Sequence, residues 1–183
     1  VLFRSSNIDL RLNTEVTPDY AEKINVDVII ASIGAQPAKP QIPGIDGQNV
    51  LSAQAAYTTD GIGEKVVILG AGLVGIELGL HLLSKGKKVK VIEMLDHMND
   101  GGNFLHAIGL NVEIKKCGLE IDYNVTAKEI KEDRIICEYP EGEKSLKADT
   151  VVYAVGQKPL REEAQALNFC AAEFYQIGDC LAP

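Results

Sequence analysis

Residues 66–79 read VVILGAGLVGIELG, an apolar run that ends in glycines spaced G-x-G-x-x-G (Gly70, Gly72, Gly75) and passes into a helix-like pattern. This order of strand, glycine turn and helix restricts the fold more than any other feature of the chain. The first glycine permits a tight turn out of the strand, and the second lets backbone approach a pyrophosphate. The third lets helix and strand pack closely. Free N–H groups and the positive end of the helix dipole then face an anionic ligand.

The glycine spacing alone is weak evidence; its context carries the weight, including an acidic residue at the end of the next strand. Glu93 closes the stretch VKVIE and meets that requirement. Its carboxylate can accept hydrogen bonds from the adenine ribose hydroxyls and would repel a 2′-phosphate. The following MLDHM, from Met94, offers no Arg to welcome that phosphate. The pattern therefore predicts dinucleotide binding at Gly70, Ala71, Gly72, Leu73, Val74, Gly75, Glu93 and Met94, with NADH preferred to NADPH. Gly70 and Glu93 are expected at one carboxyl edge of a parallel sheet, where a single adenosine can touch both. Glu77, in the first turns of the helix, suits either a favourable charge near a helix N-terminus or a place beside the nicotinamide.

A turn of this kind normally opens a domain, yet more than sixty residues precede it. An internal repeat accounts for them. VDVIIASIGAQPAKP (26–40) and ADTVVYAVGQKP (148–159) match in order and spacing. Asp27 to Gly34 and Asp149 to Gly156 each span seven residues, and each glycine precedes its proline by three. Upstream, NTEVTPDY from Asn13 resembles YNVTAKEI from Tyr123. Gly70 lies 86 residues before Gly156, so the corresponding turn of the first copy would fall about 50 residues before Val1. Residues 1–62 thus read as the back half of one nucleotide-binding unit plus a linker. Residues 63–155 read as a second unit nested within it, and 156–183 as the return to the first.

Periodicity fills in the elements. Ile8 to Arg11 is expected as a short strand and Val26 to Ser32 as a buried one, with a Pro- and Gly-rich linker after Gly34. Lys65 to Leu69 and Lys88 to Glu93 are strands around a helix from Leu73 to Ser84, which a basic last turn and Gly86 terminate. Residues 103–117 are expected to be helical, with Phe104, Leu105, Ile108 and Val112 on one face. Leu119 to Tyr123 is a strand, followed by a three-stranded meander with turns at Glu132-Asp133 and Pro140-Glu141-Gly142. Thr150 to Val155 returns as a buried strand. The fold class is α/β: a Rossmann-like unit, parallel sheet plus meander, nested in a truncated second one.

The net charge of −8 argues against a nucleic-acid partner, since a phosphate backbone has to be met by clustered Lys and Arg. No apolar run approaches the roughly 18 residues of a membrane span. The four cysteines show neither metal-knuckle nor C-x-x-C spacing, and no metal site is expected. Without a secretory pattern, a cytoplasmic setting with reduced thiols is expected. The opening VLFRS reads as the translation of a sequencing-adapter end, so residues 1–5 are expected to make no packed contacts.

Taken together, GAGLVGIE, VIIASIGAQP, VVYAVGQKP and FYQIGDC (174–180) resemble the two-dinucleotide-domain flavoproteins of the pyridine nucleotide–disulfide reductase type. The resemblance covers nearly the whole chain. IPGIDGQNVLSAQAAYTTDGIGEKVVILGAGLVGIEL together with QIGDCLAP is most similar to the reductase portion of the old yellow enzyme-related NADH:flavin oxidoreductases, such as 2,4-dienoyl-CoA reductase, enoate reductase and trimethylamine dehydrogenase. This resemblance implies FAD contacts from Gly178 and Asp179, and paired crossover segments contributing Ala31, Gly34, Ala154 and Gly156. It also implies an FMN-binding barrel and a 4Fe-4S cluster in a portion of the polypeptide outside this chain. The glycine turn of the FAD unit is absent, so the FAD site is expected to be incomplete. No catalytic acid or base is expected, because hydride transfer from NADH to flavin needs none. Two other readings stay open: an NADH oxidase or disulfide reductase, and a non-catalytic NAD sensor. Upstream sequence separates them by showing a barrel with cluster cysteines, a redox cysteine pair, or neither.

Overall fold

The structure, a computed structural model, describes residues 7–182, which divide into two compact units. One runs from Pro37 to Lys158; the other combines the described residues up to Gln36 with those from Pro159 onward. The expectation for residues 1–5 lies outside the described residues.

In the split unit, Thr17 caps helix α1 (Pro18–Ile24) by accepting from the Tyr20 N–H, and Asn25 ends it with a positive φ of 51°. Strand β1 (Val28–Ala31) follows, then β2 (Ala35–Pro37), where the chain enters the other unit. That unit begins with β3 (Val50–Ser52) and helix α2 (Ala53–Thr58), capped by Ser52. Strand β4 (Lys65–Leu69) leads into α3 (Leu73–Ser84), and β5 (Lys88–Ile92) into α4 (Phe104–Cys117). Strand β6 (Glu120–Asp122) precedes the meander β7 (Thr126–Ile130), β8 (Arg134–Tyr139) and β9 (Gly142–Lys147). Strand β10 (Thr150–Tyr153) and the short β11 (Gln157–Pro159) lead back to α5 (Arg161–Gln165) and β12 (Glu173–Gln176).

Five parallel strands form the central sheet in the order β3-β10-β4-β5-β6. The period of two along each strand sorts side chains between two covers. Val66, Ile68, Val89, Val91 and Val152 face α2, α3 and α4, packing on Ile76, Leu78, Leu82 and Leu110. Val67, Leu69, Ile92 and Val151 face the meander, packing on Ile130, Ile135 and Cys137. A parallel sheet has to be covered on both faces, and here the antiparallel meander supplies the second cover. The chain leaves β4 toward β5 and β6, then returns through β10 on the other side of β4. Strand order therefore reverses at β4, the place where an open α/β sheet leaves a ligand crevice.

The structure corrects several expectations. Residues 8–11 form no strand; Ile8, Leu10 and Leu12 are exposed, and Arg11 instead bonds to Asp9 and Tyr20. The strand expected at 26–32 shortens to β1, and only Ala31 in it is buried. Its sheet has two described strands, β1 and β12, paired in parallel from Val28–Glu173 to Ala31–Gln176, too narrow to cover its apolar faces. The compact unit that holds the central sheet runs from Pro37 to Lys158, with β3 at the sheet edge beside β10.

In α4 the buried residues are Ala107 and Leu110, with Ile114 packed beside them. Phe104, Leu105, Ile108 and Val112 are exposed instead. Apolar residues surround this helix, so periodicity offers two competing stripes, and the one with the small Ala107 lets α3 approach closely. The repeat, in contrast, has a matching local structure in both copies. Gly34 and Gly156 both take positive φ, 78° and 109°, and each precedes a three-residue strand ending in proline.

Candidate functional site

The glycine turn occupies residues 70–72, between β4 and α3 at the carboxyl edge of the sheet. Gly70 has a φ of 106°, and a Cβ there would lie 2.6 Å from the Ala154 carbonyl oxygen. At Gly75 a Cβ would lie 2.1 Å from the Gly70 oxygen and 3.4 Å from the Ala154 methyl. Both glycines are thus explained by packing inside the protein. Gly72 is not: its φ is an ordinary −77°, and a Cβ would meet nothing closer than the Asn99 oxygen at 3.8 Å. The space it leaves open lies in front of the N-terminus of α3. No side chain caps that end, whereas Ser52 caps α2 and Asn103 caps α4. The helix therefore presents unfilled N–H donors beside a backbone that admits close approach, which fits an anionic phosphate.

Glu93 lies one residue past β5 and is only 7% exposed. Its Oε2 accepts from the Ala71 N–H at 2.7 Å and its Oε1 from the Leu95 N–H at 2.9 Å. Gly70 and Glu93 are therefore brought to one edge, as expected. The carboxylate is neither solvated nor idle, and it already bonds to the turn. The Glu93 charge also adds to the burial that raises the Tyr123 phenol above its ordinary value. The loop after β5 folds back across the turn, where the Asn99 N–H donates to the Ala71 oxygen at 3.2 Å. Met94 in that loop is exposed, as is Val74 at the start of α3, while Ala71 is fully buried.

Glu77 stands on α3 with its Oε1 2.6 Å from Nε2 of His106 on α4; both side chains are 43% exposed. One turn further, the His81 ring meets that of Tyr57 at a tilt of 41°, with 5.6 Å between ring centroids. Burial raises the Tyr57 hydroxyl, and the Glu77 charge adds to it. The sequence held no signal for His106 or Asn99, because both partnerships depend on how α4 and its leading loop dock.

The remaining site candidates divide between the units. Ala154 follows β10 and lies against the glycine turn, its N–H donating to the Leu69 oxygen at 2.8 Å; Gly156 accepts from the Ala38 N–H. Ala31, Gly34, Gly178 and Asp179 belong to the split unit. There Ala31 accepts from the Ile177 N–H, and the buried Cys180 thiol also points to its oxygen. Gly178 takes a φ of 71° and opens a short 3₁₀ turn that leaves Asp179 exposed. A cavity of about 630 Å³ lies at the opposite, amino-terminal edge of the central sheet, lined by Asn49, Thr59, Lys131, Asp149 and Thr150 among others. The glycine turn does not line it.

Among the described residues no cluster of His, Cys, Asp and Glu could hold a metal, and the cysteines are free. No described helix is long and apolar enough to cross a membrane.

Several known proteins are similar to the chain. An NADH oxidase of Thermoanaerobacter brockii is 26% identical over 86% of this chain and 25% of its own length. A bilirubin reductase of Mediterraneibacter gnavus is 28% identical over 95% of this chain and 27% of its own. A 2-naphthoyl-CoA reductase in complex with 2-naphthoyl-CoA superposes with a TM-score of 0.91 at 29% identity, over 99% of this chain and 28% of the other. The chain thus spans about a quarter of the length of these relatives. The family model for the pyridine nucleotide-disulphide oxidoreductases matches residues 3–177, and the chain belongs to that family.

Proposed function

We propose that the 37–158 unit binds NADH at the glycine turn and that the split unit is part of an FAD site. In a longer cytoplasmic flavoprotein, electrons would pass from NADH through FAD to FMN and a 4Fe-4S cluster in an FMN-barrel portion outside this chain. The observation that carries the reading is Gly72, the glycine of the motif with no reason inside the protein to lack a side chain. A pyrophosphate approaching the uncapped α3 N-terminus supplies that reason.

When bound, NADH supplies a hydride and FAD accepts it; the chain's residues hold and orient. The Gly70 and Ala71 N–H groups are already donated to Ile92 and Glu93, so the uncapped N–H groups at the start of α3 meet the phosphates. Glu93 keeps free lone pairs for the ribose hydroxyls after its two backbone bonds. Glu77, tied to His106, places a carboxylate on α3 about one turn past its start at Leu73. Similarity to the NADH oxidase, the bilirubin reductase and the 2-naphthoyl-CoA reductase supports an oxidoreductase role, while the onward route through FMN and a cluster rests on the resemblance of the motifs alone.

Isothermal titration tests the reading. NADH is expected to bind and NADPH to bind at least about tenfold more weakly, since a 2′-phosphate meets the buried Glu93 charge. FAD is expected not to be retained. Equal binding of the two dinucleotides, or none of either, would overturn the assignment.

A further inference from the structure

The binding consequences below rest on the proposed dinucleotide site; the anchoring itself does not. A buried carboxylate is costly unless its oxygens are satisfied. Glu93 has no cation within salt-bridge distance among the described residues, and both of its hydrogen bonds go to backbone. Their lengths, 2.7 and 2.9 Å, are those of charge-assisted bonds. One donor, Leu95, lies in the loop that Glu93 itself begins. The other, Ala71, is the residue between the first two glycines of the turn. The next peptide of the turn is held as well, the Ala71 oxygen accepting from the Asn99 N–H at the far end of the same loop. Glu93 is itself held on the sheet, its N–H donating to Asp122 and its carbonyl accepting from Val125.

We propose that Glu93 is a positioning residue for the glycine turn, holding the Ala71 N–H so that the phosphate cradle is shaped before a ligand arrives. The phosphate cradle and the reader of the adenine ribose are then one mechanical unit. Replacing Glu93 does not simply relax the choice of dinucleotide; it loosens the cradle for any ligand with a pyrophosphate. Gln at 93 cannot substitute, because its amide presents donors to one of the two backbone N–H groups that the carboxylate accepts from.

Two measurements on the full 183-residue chain test this. The first is residue-resolved amide hydrogen exchange without ligand, for wild type, Glu93→Ala and Glu93→Gln. Loss of a hydrogen bond to a charged group predicts exchange at Ala71 and Leu95 faster by about tenfold or more in Glu93→Ala, with Val67 and Val91 unchanged. If Glu93→Ala accelerates the core amides too, Glu93→Gln decides, since it preserves side-chain volume; Ala71 or Leu95 must then exchange ahead of the core. Unchanged exchange at both amides overturns the proposal.

The second measurement is calorimetric titration with ADP and with 2′,3′-dideoxy-ADP, which carries the pyrophosphate without ribose hydroxyls. Anchoring predicts that Glu93→Ala weakens dideoxy-ADP by about tenfold and ADP by at least as much, since ADP also loses its ribose contact. A Glu93 that only reads the ribose leaves dideoxy-ADP binding as in wild type, which overturns the proposal. If wild type binds neither ADP nor NADH, the proposed function fails, and the exchange experiment still decides the anchor.

Discussion

Gly72 and Gly75 are three residues apart in one motif, and the structure gives them opposite reasons to be glycine. A Cβ at residue 75 would sit 2.1 Å from the Gly70 oxygen and 3.2 Å from its carbonyl carbon, both backbone atoms that cannot rotate away. Relief requires α3 to move off β4 by about 1 Å, and overpacking of that kind costs about 3 kcal/mol, the upper part of the usual range. For a domain of this size that is a loss of roughly 10 °C in melting temperature. In Gly72→Ala the nearest atom stays at 3.8 Å. The fold then loses at most about 1 kcal/mol, from exchanging Gly for Ala at a helix N-cap. The new methyl nevertheless fills the cradle. Holding a phosphate away from two N–H groups at the uncapped start of α3 forfeits two charge-assisted hydrogen bonds at about 1.5 kcal/mol each, roughly a hundredfold in NADH affinity. Thermal melts of both variants, with calorimetric titration of Gly72→Ala, check the contrast. A Gly72→Ala protein that melts as low as Gly75→Ala would refute the reasoning, as would one that binds NADH like wild type.

Alkaline stability provides a second check. Burial, with a smaller contribution from Asp122, pushes the Cys137 thiol up to about 11, whereas an unfolded thiol titrates near 8.5. The unfolded chain therefore loses its proton first. Stability is whole below about pH 8.5 and falls by up to about 3 kcal/mol as pH rises through 11. Denaturant titrations at pH 8 and 11 should show this loss in wild type and a smaller one in Cys137→Ala; equal losses contradict the assignment. Tyr139, raised by burial and by its hydrogen bond to Asp122, adds to the loss in the same direction. Tyr139→Phe removes the 2.6 Å bond to Asp122, whose side chain is 27% exposed. It should cost about 1 kcal/mol, below the full value of a bond to a buried charge, measured by the same titrations at pH 7; no change would mean that Lys90 alone satisfies Asp122.

Much of the nested unit was legible in the chain because its signals are local. The bounds of α3 coincide with the expected Leu73 to Ser84, since glycines mark both ends and an apolar period lies between. The meander turns fall where Glu132-Asp133 and Pro140-Glu141 interrupt alternating residues. The repeat around Gly34 and Gly156 was also readable, because a positive φ demands the same residue type in both copies.

Expectations that depended on neighbours fared differently. Nothing in residues 103–117 says which of two apolar stripes α3 will accept, and the structure buries Ala107 and Leu110 while leaving Phe104 and Leu105 in solvent. Val28 and Ile30 read as core residues, but core is a property of what covers a sheet, and this one has two described strands. For the site, the sequence alone determined that a strand, a glycine turn and a helix would follow one another, with a carboxylate due at the next strand's end. Only the tertiary structure decided what that carboxylate does. Turn chemistry is written in the backbone preferences of adjacent residues. The partners of Glu93, Glu77 and Asn99 are chosen by the docking of segments far apart in sequence, which local preference does not encode.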